Sequence, residues 1–274
     1  MYLALCLSVF LATYVLNLIY ITVIYHRGLT HGALRLHPRL QAFAVATGGW
    51  VTGLDVKGWC CMHRLHHRYS DTPRDPHSPV HKGFFGLAAA QLQSYKDVLR
   101  GLIRREPRYL AIVEDLNFDV SWQNKRGLWY LPYLLHIAIA TGLSLAVGPG
   151  GWWLGAAYFL GMMSHPVQGW MVNSMGHALG YRNYKTTDNS RNNTFVAWLV
   201  AGEGYQNNHH RYPSSVKFSI KKWELDWGYG LCYVLRGLKL VNYVKTENKQ
   251  EDIQVEAWDI SSQWAHQGNA NSQY

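Results

Sequence analysis

The stretch MYLALCLSVFLATYVLNLIYITVIYHRGLTH, residues 1–31, decides the fold. Its first 25 residues carry no charge, and about 20 apolar residues suffice to span a bilayer as a helix. No basic segment precedes the run and no small-residue cleavage site closes it. It therefore reads as a transmembrane helix over residues 2–25 rather than as a secretory signal. His26 and His31 follow at once. On an α-helix two side chains five residues apart point roughly 140° apart. These two can touch adjacent metal ions, or the helix can loosen at Gly28 and bring them together.

Two further apolar runs match the first. Leu128–Val147 and Trp152–Val172 are joined by a short turn containing GPG, Gly148–Gly151, which reads as a tight transmembrane hairpin. All 26 Lys and Arg fall outside these runs, 15 between residues 26 and 127 and 11 between residues 173 and 274. A hairpin returns the chain to the side it left, so both basic segments share one face, and the positive-inside rule makes that face cytoplasmic. The twelve Trp and eighteen Tyr suit a membrane interface. Leu40–Leu54 is apolar but too short and Gly-rich to cross, and reads as an interfacial or re-entrant helix. Residues 83–118 read as an amphipathic helix, with Phe84, Phe85 and Leu87 apolar and Arg100, Arg104 and Arg105 polar. A second helical stretch with Trp223, Trp227 and Leu231 follows Pro213. Residues 246–274 turn polar and read as a loose tail beyond a single domain over 1–245. The four cysteines show no framework spacing and are expected as reduced thiols. The net charge of +9 comes without a nucleic-acid motif, which excludes that partner, and no nucleotide-binding fingerprint occurs.

Eight of the fourteen histidines are clustered. HRGLTH supplies His26 and His31, HRLHH supplies His63, His66 and His67, NSMGH supplies His177, and QNNHH supplies His209 and His210. Every cluster lies on the expected cytoplasmic side, and His26 and His177 lie close to a membrane exit. The i, i+3, i+4 spacing of the second cluster puts three imidazoles on one helix face, where they can hold one metal or straddle two. The last cluster repeats that spacing with Gln206 in the first place. Eight imidazoles exceed the need of a tetrahedral zinc. Two redox-active metals of higher coordination fit the count, and imidazole suits iron. His37, His81 and His266 read as surface residues, His77 as a turn residue or a support for a ligand, and His136 and His165 as neutral groups inside the bundle.

These clusters resemble the histidine boxes of membrane-bound fatty acyl desaturases of the stearoyl-CoA desaturase type. The resemblance runs from about Tyr14 to Val244 and includes YSDTPRDPHSP, VNSMGHALGYRNY and GEGYQNNHH. It implies a centre of two iron ions held by His26, His31, His63, His66, His67, His177, His209 and His210. It also implies that Asn173 reaches one iron through water. Gln206 stands where acyl-CoA desaturases have a histidine, and front-end desaturases also carry Gln there. Trp59 and Trp170 match positions lining a bent acyl tunnel. Two departures stand out. Cys61-Met62 replaces the Arg-Asp that helps animal enzymes hold the CoA headgroup, and one span rather than two precedes the first box.

The expectation is thus an all-α membrane bundle of about three spans with a cytoplasmic helical cap. It desaturates a long acyl chain, with Δ9 selectivity, using O2 and a separate electron donor of the ferredoxin or cytochrome b5 type. The substrate is an acyl-CoA, an acyl-lipid or an acyl-carrier protein, and Glu203 is expected to accept a ligand N–H. The rival readings are an acyl hydroxylase on the same scaffold and, from another class, a His-rich membrane metal transporter. A transporter places its ligands near the bilayer midplane.

Overall fold

The computed structural model describes residues 1–243, so the polar tail expected at 246–274 lies outside the described residues. The first helix, α1 (Tyr2–Leu18), runs without a break into a π-helical stretch, Ile19–Thr30. Together they are the one helix among the described residues that is long and apolar enough to cross a membrane. A short strand β1 (Leu34–Leu36), α2 (Pro38–Thr52) and α3 (Val56–Tyr69) follow. Next come α4 (Pro79–Lys82), α5 (Leu87–Ile103), α6 (Pro107–Leu110) and α7 (Trp122–Lys125). The apolar pair is α8 (Leu131–Val147) and α9 (Trp152–Met162). The chain then forms α10 (His165–Trp170), a π-helical turn Met171–Met175 and α11 (Gly176–Ala178). The described residues end with α12 (Thr194–Leu199), α13 (Gln206–Arg211), α14 (Trp227–Gly237) and β2 (Val241–Tyr243). The two strands pair antiparallel, so the fold is mostly helical with one small ladder.

α9 packs against both α1 and α8. The outer faces of these helices are apolar and exposed, with Leu3, Leu7 and Leu11 on α1, Leu134 and Ile137 on α8, and Leu160 on α9. Helical order in the run expected over 152–172 is interrupted after Met162. Pro166 has no N–H for the Met162 carbonyl four residues back. Asn17 of α1 supplies the missing donor, 2.8 Å from that oxygen. The amphipathic segment expected over 83–118 is also broken. Arg105 takes a left-handed conformation and Pro107 opens a new short helix.

The main core lies between the π-helical stretch, α3 and α5, where Val23, Ile24, Tyr25, Cys60, Cys61, Leu99 and Leu102 are buried. All four cysteines are free and buried. His136 is buried and bonded at both nitrogens, to Tyr158 and to the Trp50 carbonyl, tying α2 to the apolar pair. A second cluster joins Leu18 and Tyr14 of α1 to Val196 and Val200 and to Met171 and Val172. α12 is thereby fixed to the first helix.

Candidate metal centre

A register change builds the site. In the π-helical stretch the bond closes over five residues, and the His31 N–H donates to the His26 carbonyl at 3.1 Å. That turn swings His31 back over His26, so their ring centroids lie 4.9 Å apart. The divergence expected of an α-helix is absent, and the loosening begins at Ile19, ahead of Gly28. π-turns of this kind concentrate at functional sites. The second one, Met171–Met175, holds buried Asn173 four residues before His177.

The histidines gather in two groups. His26, His31, His63, His67 and His209 offer ligand atoms within 4.8 Å of one another, and His66, His177 and His210 do the same. α3 therefore straddles the pair, sending His63 and His67 to one group and His66 to the other. α13 does likewise with His209 and His210. In the five-histidine group the Nε2 atoms of His26 and His67 each lie 3.0 Å from that of His209. In the three-histidine group every Nε2 is buried without a hydrogen-bond partner. Gln206 adds a buried, unpartnered Oε1, because its Nε2 donates to the Glu203 carbonyl at 3.1 Å. Unpaired lone pairs in the interior are costly, and convergent ones fit a cation. Five imidazoles in one group and three in the other suit two ions from the nitrogen-preferring transition metals.

The opposite ring edges are held by carboxylates. The Nδ1–H groups donate from His26 to Glu203 at 2.6 Å, from His66 to Asp75 at 3.0 Å, from His177 to Asp71 at 2.9 Å and from His210 to Asp188 at 2.6 Å. Such partners fix the tautomer, leave Nε2 free to coordinate and raise its basicity. Each carboxylate is itself held. Asp71 sits in the left-handed region, which Asp tolerates, and accepts from Ser78 and the Asn189 N–H. Asp188 accepts from Thr186 and Ser190. Glu203 accepts from Thr22 and from Arg27, which is fully buried and also reaches Asp226. Gly202 makes this approach possible, since a Cβ there would lie 2.3 Å from Asp226 Oδ1.

Protonation follows from burial. Desolvation, then neighbouring imidazoles, holds His31, His63, His67 and His209 well below the ordinary histidine range. His210 is pushed down to about 4 by burial, against the pull of Asp188. Burial would raise Asp75, but the bond to His66 outweighs it and holds the carboxyl at about 2. At neutral pH these imidazoles are uncharged, and the carboxylates Asp71, Asp75 and Asp188 are ionised.

Of the remaining expected residues, Glu203 lies against His26. Trp59 stacks on His63 with centroids 5.0 Å apart. Trp170 instead packs on Phe84 and Phe85 and donates to the Phe84 carbonyl. Asp71, Asp75, Asp188 and Arg27 were not singled out from sequence. The first two stand in SDTPRD directly behind the second histidine cluster, which is the signal that could have drawn attention to them. His77 is buried and stacked on His66 at 4.6 Å, with both ring nitrogens unpartnered.

A profile of the family described as fatty acid desaturase matches residues 2–225. The chain is 33% identical over 239 residues to an sn-1 stearoyl-lipid 9-desaturase of Anabaena variabilis, covering 84% of this chain and 80% of that one. It is 30% identical over 233 residues to the acyl-CoA 5-desaturase AL21 of Anemone leveillei, covering 83% and 68%. It is also 30% identical over 250 residues to a hex-5-enoyl-[acyl-carrier protein] acetylenase of Moorena producens (strain JHB), covering 87% and 76%. With two convergent histidine groups in one fold and a family match over most of its length, this chain belongs to the fatty acid desaturase family and is an oxidoreductase.

Proposed function

We propose that the protein introduces a cis double bond into a long saturated acyl chain, with two iron ions held by the eight clustered histidines. The observation that carries this reading is the split of those histidines into five and three, with four of them oriented by buried carboxylates. Two iron ions bound there would supply dioxygen activation. Two electrons and two protons then accompany loss of two hydrogens from adjacent methylenes, leaving the double bond and two waters. The protein's own part is to hold eight Nε2 lone pairs in place and to keep the surrounding volume dry. Gln206 contributes an oxygen ligand to the three-histidine side, and Asn173 acts there through water.

Δ9 is the position we assign, supported by the stearoyl-lipid 9-desaturases of Anabaena variabilis and Synechocystis, both at 33% identity. Cys61-Met62 in place of a headgroup-binding Arg-Asp favours an acyl-lipid or acyl-carrier-protein substrate over acyl-CoA. Residues 2–25 of the first helix and the pair α8–α9 cross the bilayer, and the histidine groups face the cytoplasm. Trp59 lines the acyl path beside the five-histidine group, with Trp170 further along it. Electrons come from a separate acidic carrier drawn to the basic face, so turnover with the donor falls as salt rises.

The test is expression in a host lacking unsaturated acyl chains, with lipid analysis and metal determination on the purified protein. Cis-9 monoenes and two irons per chain are expected. Saturated lipids alone, from a folded, iron-loaded protein supplied with a competent donor, would refute the reading.

A further inference from the structure

Helix α12 carries a face that the fold leaves uncovered. Phe195 and Trp198 are 61% and 60% exposed, although Val196 and Ala197 between them are fully buried. Leu179, Trp223 and Leu225 are exposed as well. Contacts made beside them tie their segments together. Trp227 donates to the Trp198 carbonyl at 2.7 Å, Tyr181 packs on Trp223 at 5.2 Å, and Asn193 donates to the Leu179 carbonyl. Large exposed apolar side chains gathered on segments tied together in this way mark an interaction site.

Its position identifies the occupant. α12 packs through Val196 on Leu18 and Tyr14 near the end of α1 and on Met171 and Val172 at the end of the apolar run 152–172. The Tyr14 hydroxyl donates to the Leu199 carbonyl at 2.9 Å. Leu18 lies eight residues before His26, about two helical turns, on the apolar side of the histidine groups. The exposed face therefore lies on a helix docked against the first helix at Tyr14 and Leu18. Its rim is basic, with Arg182, Lys221 and Lys222 exposed. The acids in the surrounding sequence, Asp188, Glu203, Glu224 and Asp226, are engaged inward by His210, by His26 and Arg27, by Tyr181 and Asn208, and by Arg27 again. Aromatic side chains beneath a rim of cations match the boundary between acyl chains and anionic headgroups.

We propose that α12 and the segment 220–225 form a platform seated in the acyl–headgroup boundary of the bilayer. Phe195, Trp198, Trp223 and Leu225 enter the acyl edge, and Arg182, Lys221 and Lys222 meet lipid phosphates. This rests on the bilayer placement proposed above. The buried turn Ala201–Tyr205 joins α12 to α13, which couples the platform directly to the helix carrying His209 and His210.

The test uses the full-length protein in vesicles of phosphatidylcholine and phosphatidylglycerol. An environment-sensitive fluorophore is placed on cysteines introduced one at a time at Phe195, Trp198 and Trp223. Leu145 of the apolar pair and exposed Lys185 serve as references, and the native cysteines are buried. Labels at 195, 198 and 223 are expected to be quenched by nitroxides high on the acyl chains and shielded several-fold from iodide relative to 185. Iodide access at 195 and 198 equal to that at 185, with 145 shielded, overturns the platform but not the bilayer placement. Iodide access at 145 as well removes the bilayer placement with it. Shielding of 195 and 198 from both quenchers assigns the face to another protein surface and overturns the proposal. On the unsubstituted protein, an acyl-chain photolabel is expected to modify peptides containing 195–198 and 223–225; labelling confined to residues 2–30 and 131–170 overturns it.

Discussion

Gln206 shows how one side chain divides the site. It occupies the first place of an i, i+3, i+4 triplet, yet its amide is fixed by the Glu203 carbonyl so that Oε1 faces inward. Room for it comes from Gly176, where a Cβ would lie 2.5 Å from Gln206 Cγ. On the proposed reading the amide oxygen is one ligand among several, whereas the His209 Nε2 lies 3.0 Å from those of both His26 and His67 and His210 is one of only three imidazoles in its group. Gln206→Ala is therefore expected to keep partial activity and lose iron from one position. His209→Ala and His210→Ala are expected to abolish activity. Product yield together with iron per chain checks both, and a Gln206→Ala variant as inactive as the histidine variants would make the amide essential. Gly176→Ala should mimic Gln206→Ala, because the new methyl displaces the glutamine. Asp188 acts one bond further out. Asp188→Asn keeps a polar group beside His210 Nδ1 but removes the charge, and about 10- to 100-fold weaker metal binding is expected, read by competition with a chelator.

At the scale of elements, the legible and the hidden parts separate by range. The pairings within α3 and α13 follow from 3.6-residue periodicity, which is local, so the i, i+3, i+4 triplets could be placed on faces from the sequence. The register of the first box could not. The π-helical stretch is held by contacts made elsewhere in the chain. Arg27 within it donates to the Val216 and Ala201 carbonyls and pairs with Glu203 and Asp226, all more than 170 residues away in sequence. The oriented carboxylates were hidden for the same reason: Asp71 and His177 meet across 106 residues. Arg27→Met leaves two buried carboxylates without their cation, and a loss of about 3–5 kcal/mol in stability is expected, measured by thermal or denaturant unfolding. Deleting one residue between Ile19 and Tyr25 should relax the segment toward α-helical spacing and part His31 from His26. Such a variant is expected to retain the first helix but to lose iron from the five-histidine side; full iron content would show that the π register is dispensable.

Across the whole molecule, burying so many imidazoles in one place ties stability to pH. His31, His63, His67 and His209 sit well below their unfolded value, and His210 falls from 6.5 to about 4. Between those limits the unfolded chain binds more protons than the folded one, so stability rises with pH and is lost as pH falls below about 6.5. His210 alone accounts for about 3 kcal/mol over that window. Asp75, held at about 2, has the opposite charge but the same sign of effect, and its contribution is lost only below the ordinary carboxylate range near pH 4. The iron-free protein should therefore melt progressively lower between pH 7 and pH 5, well before its carboxylates titrate. Bound metal competes for the same lone pairs and stabilises only the folded state, so the iron-loaded protein should hold its melting temperature further into acid and then release iron and unfold together. Melting curves with and without chelator across this range measure both effects. A flat profile for the iron-free protein from pH 7 to pH 5 would mean that water reaches the imidazoles, and that the dry, neutral lone pairs on which the metal centre depends are not maintained.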